Sequence, residues 1–254
     1  METSAKRIEA GRVIGEAFDT YRAYAGVLLG GALIVIGVAG VINGLLTASG
    51  SIALVLVGSI VSLVAGVLYT GYVVKLVQDV RDGRLDQSMG DLFSAAAPFI
   101  RTLILNGILF GIAVAVGFFL LIVPGLILIT IWAVVAPSIV VENRGAIEAF
   151  GRSRELVRGN GWSVFGAIVL AFLIVFAITI VAGIIGAAIG DDAGRVIVGT
   201  IGNVLAYPIA ALVSSILFFD LGGGGAAPTV PPAAAPPTEP PLTEPPPPTP
   251  PPAA

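Results

Sequence analysis

The chain contains neither cysteine nor histidine, and only 11% of its 254 residues are charged. The first two absences exclude disulfides, thiol nucleophiles, imidazole acid–base chemistry and most zinc sites. Without cysteine the redox compartment stays open. A soluble domain carries about 25% charged residues. Here 56% of residues are apolar and mean hydropathy is +1.00, more apolar surface than a soluble core can hide, so the chain belongs in lipid. A strong basic patch is also missing and net charge is −3, so nucleic acid is not an expected partner. No cleavable signal peptide is evident. The first 23 residues are polar, and the apolar run that follows exceeds a signal core of about 7–15 residues.

The expected fold is all-α: a polytopic membrane bundle of six transmembrane helices with amphipathic connector helices. Residues 1–23 read as an N-terminal amphipathic helix, with Ala10, Ile14, Ala17, Phe18 and Tyr21 on one face. Spans follow at about 24–47, 52–76, 99–123, 124–141, 162–189 and 196–219. Pro124 suits a helix start, and Val123-Pro124-Gly125 predicts a tight hairpin between spans three and four. Pro137 and Pro208 predict kinks, because each removes a backbone donor. From 221 to 254 the chain turns to Gly, Pro, Ala and Thr, which cannot bury enough surface to fold. That tail is expected to be disordered and locally polyproline-like, solvated rather than an SH3-type ligand.

Between spans four and five, residues 144–158 have helical periodicity. Ala146, Ala149, Phe150, Ser153, Leu156 and Val157 share one face; Arg144, Glu148, Arg152 and Glu155 share the other. This pattern predicts a helix lying along the membrane surface. In the six-span arrangement twelve of thirteen Lys and Arg residues fall on one side, and Arg195 alone on the other. The positive-inside rule then puts both termini in the cytoplasm. Ahead of the tail twelve acidic residues share that side, so no strong attraction to anionic head groups is implied overall. Glu16-Ala17-Phe18, Asp91-Leu92-Phe93 and Glu148-Ala149-Phe150 each precede a membrane hairpin. They suggest three copies of a short helix plus two spans, although any acid-initiated interfacial helix would look similar.

Pro124-Gly125-Leu126, the exit Ala136-Pro137-Ser138-Ile139-Val140-Val141-Glu142, and Ala149-Phe150-Gly151-Arg152-Ser153-Arg154-Glu155-Leu156-Val157-Arg158-Gly159 before Trp162 form a recognisable set. Together with Gly15-Glu16-Ala17-Phe18-Asp19-Thr20-Tyr21-Arg22, they resemble the glycerophosphoryl diester phosphodiesterase membrane-domain family and related bacterial six-span proteins of unassigned function. The resemblance covers about residues 8–220 and implies an integral inner-membrane domain. The catalytic barrel of that family uses paired histidines, which this chain lacks, so the catalytic activity does not transfer.

No span carries a charge near its middle, which argues against ion coupling. The most polar intramembrane residues are Asn43, Asn106, Thr130, Thr179 and Asn203, read first as interhelical hydrogen-bonding groups and second as substrate ligands. Glycine pairs such as Gly26/Gly30 and Gly107/Gly111 suit close helix packing, within the chain or between two copies. Trp162 fits an interface anchor, and Trp132 fits that role less well. Arg152, Arg154 and Arg158 are the candidate contacts for a lipid phosphate, with Glu148 and Glu155 as competing internal partners. Asp79, Asp82, Asp86 and Asp91 match no hydrolase or calcium-loop spacing. No catalytic residue, metal ligand or cofactor is expected. The expected function is a non-enzymatic scaffold or accessory module of the bacterial cytoplasmic membrane. Its partners would be the lipid bilayer and either another membrane protein or a second copy. The alternative is a transporter or exporter of an apolar or lipid-like substrate. A membrane enzyme ranks third.

Overall fold

The computed structural model describes residues 8–83 and 88–225. The tail beyond 225, and Lys6, Arg7 and Arg84 of the charge count, lie outside the described residues. Every regular element among the described residues is helical. Six helical stretches are long and apolar enough to cross a membrane: Ala25–Ala48, Ile52–Arg81, Met89–Leu120, Ile122–Glu142, Gly161–Ile189 and Asp192–Asp220. Helices are the required solution here, since hydrocarbon offers no partner for an unpaired N–H or C=O.

The chain proceeds as three units, each a short helix and then two spans. Helix α1 (Ala10–Ala23) leads into the first span, made of α2 (Ala25–Ala32), a π-helical turn (Leu33–Gly37) and α3 (Val38–Ala48), and then into α4 (Ile52–Arg81). Helix α5 (Met89–Ala96) continues through a short 3₁₀ turn into α6 (Ile100–Leu120), which returns as α7 (Ile122–Ile131) and α8 (Val135–Glu142). Helix α9 (Glu148–Val157) precedes α10 (Gly161–Ile189) and α11 (Asp192–Asp220). The middle residue of each acid-x-Phe triplet, Ala17, Leu92 and Ala149, is buried at 3%, 1% and 0% exposure. The acids differ in use. Glu16 joins an ion-pair ring, Asp91 closes a capping box with Ser88 at the start of α5, and Glu148 accepts from the Gly145 amide.

Two tyrosines one helical turn apart on α4 tie the first span to the second. The Tyr69 hydroxyl donates to the Leu28 carbonyl at 2.9 Å, and the Tyr72 hydroxyl to that of Val27 at 2.8 Å, just ahead of the π turn. Gly31 makes this approach possible. A Cβ there would lie 2.8 Å from the Tyr72 ring. At one end of the bundle, Arg12 on α1, Arg81 on α4 and Asp220 on α11 form a ring of charges with Glu16. Arg12 meets Asp220 at 2.7 Å and Glu16 at 3.2 Å, and Arg81 meets both acids. The hydrogen bond that Arg12 donates to Asp220 raises the Arg12 pKa above its ordinary value.

The α6–α7 hairpin is tighter than its sequence suggests. It turns at Leu121 alone, in extended conformation, and Pro124 is the third residue of α7 rather than the first. The glycines serve packing: a Cβ on Gly125 would lie 2.7 Å from the Phe118 ring, and one on Gly117 would lie 3.0 Å from the Gly125 backbone. The fourth span is interrupted outright. Helix ends at Ile131 and resumes at Val135, ahead of Pro137. Pro137 has no N–H to reach the Ala133 carbonyl four residues back, and the Ser214 hydroxyl of α11 donates to that carbonyl instead, at 2.7 Å. Pro208, by contrast, sits inside an unbroken α11.

Candidate functional site: an arginine-headed groove beside the broken fourth span

Helix α8 stops where Asn143 adopts the left-handed conformation, φ 53°, a geometry that short polar side chains tolerate. The chain turns through Gly145–Ile147 and forms α9 over Glu148–Val157, shorter at its start than the expected 144–158. The expected apolar face is the inward one: Ala146, Ala149, Ser153 and Val157 are buried, with Phe150 and Leu156 half-buried. What covers it differs from expectation. Helix α9 packs onto α7 and α8, so protein rather than the lipid surface receives this face.

Ser153 explains the docking. Its hydroxyl donates to the Ile131 carbonyl at 2.9 Å and accepts from the Val134 amide at 3.3 Å, groups at the two edges of the interruption. An interrupted helix leaves such groups without intrahelical partners, and leaving one bare inside a bundle costs about 1–3 kcal/mol. The Asn106 side-chain amide, in mid-α6, donates to the Ala146 carbonyl at 3.0 Å and fixes the connector from the other side. Trp132 lies between Phe110 and Phe150, at ring-centroid distances of 6.1 and 4.5 Å. It is thus a packing residue of the break.

The structure separates the three candidate arginines. Arg152 is held by Glu142 in a fork, Nε to Oε2 at 2.8 Å and Nη2 to Oε1 at 2.9 Å, while its contact with Glu155 is 3.7 Å. The Glu142 side chain is 4% exposed, and it also accepts from Arg144 and the Gly224 amide. The hydrogen bond to Glu142 raises the Arg152 pKa, so this guanidinium stays charged and occupied. Glu148, the partner that helical spacing suggests for Arg152, turns to the Gly145 amide instead. Arg154 and Arg158 are exposed, and among the described residues neither side chain makes a hydrogen bond or ion pair.

These two arginines, with Glu155 between them, border a cavity of about 390 Å³ that shares Ile131, Gly159 and Gly161 with a larger one of about 750 Å³. The larger cavity is an apolar groove between α7 and the start of α10, walled by Leu126, Ile127, Trp162 and Phe165. Thr130 in its wall turns its hydroxyl back to the Leu126 carbonyl, at 2.8 Å, and so offers the groove no donor. Trp162 is 87% exposed at the rim, where an interface anchor would stand. The arrangement is thus an apolar groove with two guanidinium groups, unpaired among the described residues, and one carboxylate near its head, able to offer bidentate donors to an anion.

Of the remaining polar intramembrane residues, Thr179 bonds back to Val175 in its own helix. Asn43 and Asn203 come together in a second cavity, between α3, α4 and α11. Sequence reasoning missed the roles of Glu142, Ser214, Tyr69 and Tyr72. Only the first had a local signal, an acid closing an apolar run ten residues before an arginine.

A family model described as "Uncharacterised protein family (UPF0259)" matches residues 49–213, from just ahead of α4 to within α11. A UPF0259 membrane protein of Pectobacterium carotovorum subsp. carotovorum (strain PC1) is 32% identical over 124 residues, 49% of this chain and 49% of that protein. The alignment thus spans about half the length of that relative. No solved structure matches. The link to glycerophosphoryl diester phosphodiesterase membrane domains that the motifs suggested is not shown by these comparisons.

Proposed function

Since the chain belongs to the uncharacterised protein family UPF0259, we propose that this membrane protein is a non-enzymatic module of the cytoplasmic membrane that holds an anionic phospholipid beside its fourth span. Both termini and the α9 connector would face the cytoplasm, as the distribution of Lys and Arg requires. The observation that carries the reading is the pairing of Arg154 and Arg158, which lack protein partners among the described residues, with the apolar groove they head. A lipid-occupied module of this kind suits a scaffold or accessory role, with a further membrane protein or a second copy as partner. The motif likeness to phosphodiesterase membrane domains fits the same picture, since in that family the spans accompany a separate catalytic part.

Native mass spectrometry of the purified protein tests it, with phosphatidylglycerol and phosphatidylcholine offered together. At about 1 kcal/mol per arginine near the head group, Arg154→Ala/Arg158→Ala predicts a roughly thirtyfold loss of phosphatidylglycerol binding. Unchanged phosphatidylglycerol binding in the double variant refutes the site. A second reading, transport of an apolar or lipid-like substrate, is favoured by the discontinuous fourth span. Its mark would be flux of a fluorescent phospholipid across reconstituted vesicles, lost on substitution of Asn106 or Asn203.

A further inference from the structure

A second cavity, of about 360 Å³, opens between α3, α4 and α11. Six polar side chains line it: Asn43, Ser62, Arg195, Thr200, Asn203 and Tyr207. Apart from an ion pair of Arg195, none of these side chains makes a hydrogen bond among the described residues. Several other hydroxyls well inside the spans are satisfied within their own helix. Ser59, Thr70, Thr130, Ser138, Thr179 and Ser215 each return their hydroxyl to the carbonyl four residues back, at 2.8–2.9 Å. A hydroxyl in hydrocarbon takes that bond because nothing else is on offer. Ser62 and Thr200 do not take it. The Asn43 carbonyl oxygen, packed toward Gly58 of α4, is buried with no hydrogen-bond partner among the described residues. Leaving the Ser62 and Thr200 hydroxyls and the Asn203 amide bare in lipid costs about 1–3 kcal/mol each, so this surface is made for water or a polar ligand.

The cleft runs from Arg195, in the first turn of α11, to Tyr207, about 18 Å further along the helix at 1.5 Å per residue. Gly40 and Gly44 let α3 close its back wall: a Cβ on Gly40 would lie 2.9 Å from the Thr200 hydroxyl, and one on Gly44 would lie 2.5 Å from Val196. No carboxylate lines it, and its one charge is Arg195. The Arg195–Asp192 pair, 3.3 Å apart with side chains 55% and 84% exposed, is too solvated to hold the guanidinium against a competing anion.

We propose that this cleft is a water-filled vestibule, entered from the face that bears Arg195, which binds a small anionic solute through Arg195 and the amides of Asn43 and Asn203. It is independent of the phospholipid groove, since no residue is shared between them.

The native absence of cysteine gives the test. Single substitutions Asn203→Cys, Thr200→Cys and, as a lipid-facing control, Ile201→Cys are exposed to two membrane-impermeant methanethiosulfonates, one carrying a sulfonate and one a trimethylammonium. Each reagent is applied to intact cells and to inverted vesicles, with Ala193→Cys marking the Arg195 face. Thiolate forms in water and not in hydrocarbon, so N203C and T200C should react from the Arg195 face at least about tenfold faster than I201C. The sulfonate reagent should be favoured about fivefold at N203C, and Arg195→Gln should abolish that preference while leaving access intact. R154A/R158A should change none of these rates. N203C and T200C reacting no faster than I201C would overturn the vestibule. A charge preference that R195Q leaves in place would overturn the anion site.

Discussion

Replacing Arg152 by alanine tests how α9 is held. The substitution removes both arms of the fork on Glu142, 2.8 and 2.9 Å, and leaves a carboxylate whose side chain is 4% exposed. Breaking a buried pair from one side costs about 3–5 kcal/mol, because the remaining charge is stranded. Here the lower end applies. Arg144 at 3.4 Å and the Gly224 amide at 3.3 Å remain on Glu142, and Arg152 is itself 24% exposed. We expect R152A to lower stability by about 3 kcal/mol, and Glu142→Gln combined with Arg152→Gln to recover most of that loss, since no stranded charge remains. Arg154→Ala, an exposed residue with no partner, should fall within about 0.5 kcal/mol of the parent. The assay is equilibrium unfolding in mixed dodecyl-sulfate micelles, followed by tryptophan fluorescence. Trp132 reports directly because its ring packs against that of Phe150 of α9, 4.5 Å between centroids. R152A and R154A unfolding at the same detergent fraction would refute the reasoning.

Four further outcomes follow from named contacts. Ser214→Ala should cost about 1–3 kcal/mol by baring the Ala133 carbonyl, yet cost little in a Pro137→Ala background, where the restored N–H replaces the lost donor; a double-mutant cycle with no coupling would contradict this. Tyr72→Phe should cost about 1 kcal/mol, and Gly31→Ala about 1–3 kcal/mol through contact with the Tyr72 ring, both read from the same unfolding curves. Asp220→Asn should cost about 1–3 kcal/mol and keep most of that effect in high salt, because the Asp220 side chain is only 5% exposed although the arginines it pairs with are more than a third exposed.

What was legible in the sequence was whatever a single helix can express. The bilayer demands about twenty apolar residues per crossing, so all six spans could be read from the chain. The inner face of α9, from Ala146 to Val157, followed from a period of 3.6 residues. What was not legible depends on a second element. The fourth span breaks at Trp132–Val134, ahead of Pro137, because Ser153 and Ser214 supply the partners that make a break tolerable there. Tyr69 and Tyr72 act across 41 and 45 residues of chain, a separation no local pattern reports. The three arginines look equivalent along the helix. Only the fold places Glu142 where it takes Arg152 and leaves Arg154 and Arg158 open.

Sidedness underlies both proposed sites: the phospholipid groove needs α9 on the inner face, and the vestibule needs Arg195 on the outer one. Single cysteines placed at Ser49, Ser88, Glu155 and Ala193, all exposed, decide it by labelling from one side at a time. Ser153, though central to α9, is fully buried and would not report. The account predicts that S88C and E155C react only from the cytoplasmic face, and S49C and A193C only from the opposite face. E155C labelled from outside the cell, or S49C and A193C labelled from different sides, would contradict it.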